Sequence, residues 1–173
     1  MELEAHLGGH QGKTHTDEGT LRWAIDKLKV KSMLDVGCGP GGMVELANSL
    51  DVDAYGVDGD YTLERYNESK FIIHDFTKGP APVGGSYDLA WSVEFVEHVY
   101  EEYIPNYVQA MQQAKYLIMT YAPIGHGGYH HVNENTQEYW IETMSKYNFT
   151  YDENLTNQMR QSSTMGKKKK HQF

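Results

Sequence analysis

The residues best suited to binding chemistry form a short run, Asp35-Val36-Gly37-Cys38-Gly39-Pro40-Gly41, between an apolar stretch and a helix-forming one. A strand that enters a glycine-rich turn and then a helix presents backbone amides at the helix N-terminus, where nucleotide-like ligands are held. Gly37, Gly39 and Gly42 also satisfy G-x-G-x-x-G, a pattern shared with dinucleotide sites and weak by itself. Asp35 separates the readings. A carboxylate two residues before the first glycine would face a pyrophosphate with like charge, whereas the ammonium and sulfonium of S-adenosylmethionine (SAM) are stabilised by it. SAM is therefore the expected cofactor, with an NAD-dependent oxidoreductase and a non-catalytic SAM-binding module as the alternatives.

Two further acids extend the pocket. Asp58, followed by Gly59, closes a second apolar stretch about twenty residues beyond the turn, where a carboxylate accepts from ribose hydroxyls. Asp75 ends a third stretch and is suited to the adenine amino group, with Phe76 offering a flat apolar face. Cys38 reads as a small residue packed in the turn beside the cofactor, since no base is evident near it to make a nucleophile.

A different chemistry is concentrated in the glycine-rich segment 122–134, which carries His126, His130 and His131. Imidazole titrates near neutral pH and suits a general base. The competing reading is structural, with one histidine packed or bonded to a carbonyl and the others solvated. No metal is expected. A metal needs three or four converging ligands, and His130 and His131 point apart if the segment is extended. Glu97 and His98 read as structural hydrogen-bonding residues on a helix.

The elements that must position these groups alternate strand and helix, as in an open parallel α/β sheet. Strands are expected over 32–36, 53–57, 71–74, 87–92 and 116–120, with a short sixth over 149–151. Helices are expected over 20–28, capped by Thr16 or Asp17, over 41–50, over 94–114 with a break at Pro105, and over 136–147. This divides the chain into an N-terminal arm or lid (1–19), a SAM-binding domain (20–154) and a polar, lysine-rich tail (155–173).

The stretch Met33-Leu34-Asp35-Val36-Gly37-Cys38-Gly39-Pro40-Gly41 closely resembles the first motif of class I SAM-dependent methyltransferases. Tyr55-Gly56-Val57-Asp58 resembles their second-strand acid motif, and 87–99 their fourth strand with the helix after it. The resemblance spans roughly residues 31–120, and loops similar to His130-His131-Val132-Asn133 occur in small phage and bacterial methyltransferases. It implies a Rossmann-like sheet of order 3-2-1-4-5 flanked by helices, with a reversed strand near strand 6. By the same resemblance Gly37 and Gly39 border the methionine part of SAM, Asp58 the ribose, Asp75 and Phe76 the adenine, and Ser92 the floor beneath the sulfonium. The chain departs from the family after residue 155, where no apolar alternation remains for a seventh strand. The sheet edge is then open, or covered by the partner chain of a homodimer.

Composition narrows the acceptor. A length of 173 residues suits one domain. A net charge of -9, from 15 basic and 24 acidic residues, disfavours broad contact with nucleic-acid phosphates. Four of those basic residues form the run 167–170, read as a solvated terminus. A lone cysteine, no secretion signal and no membrane-length apolar run place the protein in the cytoplasm, away from membranes. Amide and base N-methyltransferases often carry an Asn/Asp-Pro-Pro-aromatic loop after strand 4, where this chain has Ser92-Val93-Glu94-Phe95. The expected acceptor is a small molecule or sugar, methylated at oxygen.

Overall fold

Period-two alternation decides how the central strand is buried on both faces. In the computed structural model, which describes residues 3–166, 169, 172 and 173, Met33 of β1 (Ser32–Val36) enters one core cluster and Leu34 and Val36 the other. β4 (Tyr87–Ser92) repeats the pattern, with Leu89 and Trp91 on the first side and Ala90 on the second. Strands buried on both faces read as near-continuous apolar runs, the mark of a parallel sheet covered by helices.

With β2 (Asp53–Asp58), β3 (Phe71–Ile73) and β5 (Ala114–Met119), these strands form one parallel sheet of order β3-β2-β1-β4-β5. The order is the one the resemblance implies. The β1–β4 pair is reinforced at its start by the Asp88 carboxylate, which accepts from the amides of Lys31 (2.8 Å) and Ser32 (3.1 Å). The first core cluster includes residues of α1 (Glu18–Leu28), α2 (Gly42–Ser49) and α5 (Glu153–Ser162); the second includes residues of α3 (Ile104–Met111) and α4 (Gln137–Ser145).

Asp17 caps α1, accepting from the Thr20 amide at 2.9 Å. The same buried carboxylate accepts from Ser163 Oγ and the Thr164 amide, so the start of α1 is tied to the end of α5. The segment read from sequence as a polar tail thus contains a helix, of which only Met159 is buried. Pro105 stands in the first turn of α3, where its missing amide hydrogen costs nothing.

The expected sixth strand over 149–151 does not form. Asn148 turns left-handed (φ 68°) and the Phe149 amide donates to Met144 O, closing α4. Asp152 then caps α5 through the Leu155 amide. Two helix caps leave too little chain between them to run along β5 as a strand. β5 is the edge of the sheet among the described residues, beside a cavity of about 450 Å³. Neither a seventh nor a reversed strand is present among them. Lys167, Lys168 and Lys170 of the lysine run lie outside the described residues.

Candidate functional site

All five strands end on one side of the sheet, and the glycine turn sits there between β1 and α2. Gly37 (φ 78°) and Gly39 (φ 51°) adopt left-handed conformations that a side chain disfavours. The turn is pinned to β2, because the amides of Gly37 and Cys38 both donate to Val57 O, at 2.8 and 3.3 Å. Cys38 lies buried against β2, where a Cβ at Gly56 would come within 2.6 Å of its sulfur. That contact explains a glycine inside a strand.

Asp58 stands at the centre of this site. One carboxylate oxygen accepts from the Gly39 amide and the other from the Asp60 amide, each at 2.8 Å, with the Arg65 guanidinium 3.5 Å away. Burial raises its pKa, and the bonds from Asp60 and Gly39 oppose the rise. Asp35, also buried, is pushed well above the ordinary carboxylate range, first by burial and then by the charge of Asp58. Two buried carboxylates, one of which raises the proton affinity of the other, form a site that favours a cation. The cationic cofactor inferred from the sequence fits it.

Two cavities flank the turn. The first, about 290 Å³, is lined by Asp58, Gly59, Asp75 and Phe76 together with Phe95, Tyr100 and His130. The second, about 240 Å³, is lined by Asp35, Cys38, Gly39, Trp91 and His131. Both reach Gly9, His10, Gly37, Glu94 and His98. Eight of the nine expected cofactor residues, Asp35, Gly37, Cys38, Gly39, Asp58, Gly59, Asp75 and Phe76, therefore line one cavity or the other. Ser92 does not; its hydroxyl donates to Val36 O at 2.9 Å beneath the sheet ends. Asp75 is already engaged, accepting from the Thr77 amide and hydroxyl at 2.8 Å and facing His6 Nε2 at 3.2 Å. Burial pushes its pKa up, but these bonds outweigh it and hold the carboxyl below its usual value.

The N-terminal segment crosses this region. Leu7 lies over Gly59, Gly9 over the His98 ring, and His10 over Gly39 with its Nε2 3.1 Å from Asp60. Thr14 Oγ1 then accepts from the Gly42 amide. His6 and His10 are residues that motif reading missed, because their partners lie about fifty or more positions away. The only local signal is a pair of histidines in a segment with no apolar period.

The histidine loop is split. His130 (φ 51°) lines the first cavity and its Nδ1 lies 3.2 Å from His98 O. His131 lines the second, with Nδ1 2.8 Å from Glu134 Oε1. His126 is exposed, stacked on His131 at 5.6 Å, and lines neither. At the end of β4, Glu94 also takes a left-handed conformation (φ 57°), uncommon for a residue with a side chain and frequent at functional sites. Glu97 and His98 follow, both buried. Glu97 is raised to about 8, chiefly by burial and then by Glu94; His98 is lowered to about 4 by burial and by His131.

Residues 34–117 match the methyltransferase domain family. No curated protein sequence matches the chain. Among solved structures it is similar to magnesium protoporphyrin IX methyltransferase from Synechocystis PCC 6803 with bound SAM, at 18% identity, covering 77% of this chain and 67% of that one with a TM-score of 0.54. It is also similar to the methyltransferase domain of bacterial CtHen1 (16% identity, 75% and 82% covered, TM-score 0.56) and to YcgJ from Bacillus subtilis (18%, 73% and 66%, 0.55). That match spans just under half of the chain, and the fold around it is the class I methyltransferase fold.

Proposed function

We propose that the chain methylates a hydroxyl oxygen of a small acceptor that enters the first cavity beside Tyr100 and His130. Asp58, Asp35 and the turn from Gly37 to Gly39 hold the cofactor, with Asp75 and Phe76 at its adenine end. Bound SAM supplies an electrophilic methyl group. His130 would take the acceptor proton as the oxygen bonds to the methyl carbon and the carbon–sulfur bond breaks, with S-adenosylhomocysteine as the leaving group.

The observation that carries this reading is the state of the His130 ring. A carbonyl oxygen only accepts, so the contact with His98 O places the proton on Nδ1 and leaves the Nε2 lone pair available as a base. His131 is oriented in the same sense by Glu134, and His126 stays outside both cavities. The acidic composition and the size of the cavity favour a small acceptor over a polynucleotide.

The test is transfer of labelled methyl from SAM to a panel of hydroxyl-bearing small molecules, amines and RNA, followed by mass spectrometry. O-methylation of a small molecule is expected, and His130→Gln should lower its turnover by about 100-fold with SAM affinity unchanged. Methylation of RNA or of nitrogen, or a His130→Gln variant with full turnover, defeats the assignment.

A further inference from the structure

Two buried polar side-chain atoms on neighbouring residues, Glu97 Oε2 and His98 Nδ1, have no hydrogen-bond partner among the described residues. Glu97 is 1% exposed and His98 7%. A carboxylate oxygen and an imidazole nitrogen are strong acceptors, and folding leaves such groups unsatisfied only rarely. Both lie against the same third group. The His131 ring meets that of His98 edge to face at 4.9 Å, and one ligand atom from each of Glu97, His98 and His131 lies within 4.8 Å of the others.

Backbone bonds bring this trio together. The Glu97 carbonyl accepts from the amides of Val132 (2.8 Å) and Asn133 (3.1 Å), which fastens the histidine loop directly over Glu97 and His98. Glu134 holds His131 Nδ1 at 2.8 Å and is itself held by the amides of Gly125 and Gly127. A carboxylate on one ring nitrogen fixes the tautomer and leaves the other nitrogen as a ligand, the usual arrangement around metal-bound histidine.

We infer that Glu97, His98 and His131 form a binding site for a first-row divalent transition metal. Two imidazoles and one carboxylate suit zinc, manganese or iron, whereas calcium and magnesium prefer oxygen ligands throughout. Ligands about 2.1 Å from a tetrahedral ion sit roughly 3.4 Å apart, so the three side chains close by small rotations alone. Three protein ligands leave a coordination position open.

Two other clusters compete for a cation. His126, His131 and Glu134 are grouped at the surface, and Glu4, His6 and Asp75 beside the first cavity. Each contains a carboxylate already spent on backbone amides, Glu134 on Gly125 and Gly127 and Asp75 on Thr77. Only the Glu97 group carries unsatisfied buried acceptors.

The test uses the whole chain, stripped with a chelator and titrated with Zn²⁺, Mn²⁺ or Co²⁺ alone, without SAM or acceptor, so its outcome is independent of the methyl-transfer assay. One ion per chain is expected, with visible Co²⁺ absorption of a low-coordinate site and paramagnetic shifts at His98 and His131 in the wild-type protein. Glu97→Gln and His131→Asn should each weaken binding by at least about tenfold, with His126→Asn and His6→Asn unchanged. The wild-type shifts decide the matter if a variant fails to fold. Lack of stoichiometric binding, binding that survives both ligand substitutions, or binding lost in His126→Asn or His6→Asn overturns the site.

Discussion

The two halves of the site are built on opposite plans. Around the glycine turn, backbone groups do the anchoring: the amides of Gly39 and Asp60 hold the Asp58 carboxylate, and the Val57 carbonyl holds the amides of Gly37 and Cys38. Around the histidine loop, side chains face one another across segments more than thirty residues apart, and two of their buried atoms lack partners among the described residues. The first half is a rigid mould fixed by strand pairing. The second is a set of ligand and base groups held by loops, where a changed residue alters chemistry before it alters the fold.

The comparison breaks most sharply at Gly39. A valine there must adopt φ 51° and places its Cβ 3.1 Å from His10, so Gly39→Val should abolish SAM binding measured by calorimetry. Circular dichroism should stay native. Asp58→Ala removes a charged acceptor and orphans two amides, at about 1.5–3 kcal/mol for a hydrogen bond to a charged group. SAM affinity should fall more than tenfold; unchanged affinity would show that the mould is elsewhere.

Asp35 gives a smaller and graded effect. Its folded pKa is raised, first by burial and then by Asp58, so it holds a proton in a range where free carboxyls are ionised. A cationic ligand needs the ionised form and must expel that proton. Affinity for SAM should therefore rise with pH, by up to about tenfold per unit for one proton, and level off above the raised pKa. Asp35→Asn should flatten the profile, and an equally steep profile in that variant would assign the proton to another group.

How much of each half was legible follows from the same contrast. The turn, its flanking strands and Asp58 are read locally, because glycine at positive φ and an acid at a strand end need only near neighbours. Asp17 as the cap of α1 is likewise a local signal. The pairing of His131 with Glu97 and His98 is not local: it depends on two backbone bonds from Val132 and Asn133 to the Glu97 carbonyl, which no spacing encodes. Grouping His126, His130 and His131 by proximity in sequence joined three side chains that the fold sends to two cavities and to solvent. The strand expected over 149–151 failed for a related reason, since apolar aromatics there satisfy a strand pattern while the adjoining helix caps consume the backbone.

The mildest change sharpens the contrast within the loop. Glu134 accepts from the amides of Gly125 and Gly127 and from His131 Nδ1, using both carboxylate oxygens. The bond from His131, with those from the two amides, holds its pKa below the ordinary value against the opposing effect of burial. Its grip on the loop is therefore present above the usual carboxylate range and is lost as pH falls through the depressed value. In Glu134→Gln one of the two acceptors becomes an NH₂ donor, which meets either an amide hydrogen or the Nδ1 proton of His131 and must repel it. The loop should loosen and His131 should lose its fixed tautomer. Turnover should fall by roughly threefold to tenfold, in the range of interactions that orient a group without touching substrate. SAM affinity should not move, because Glu134 touches none of the groups around Asp58. Were SAM affinity to fall in step with turnover, the two halves would be one mechanically coupled unit.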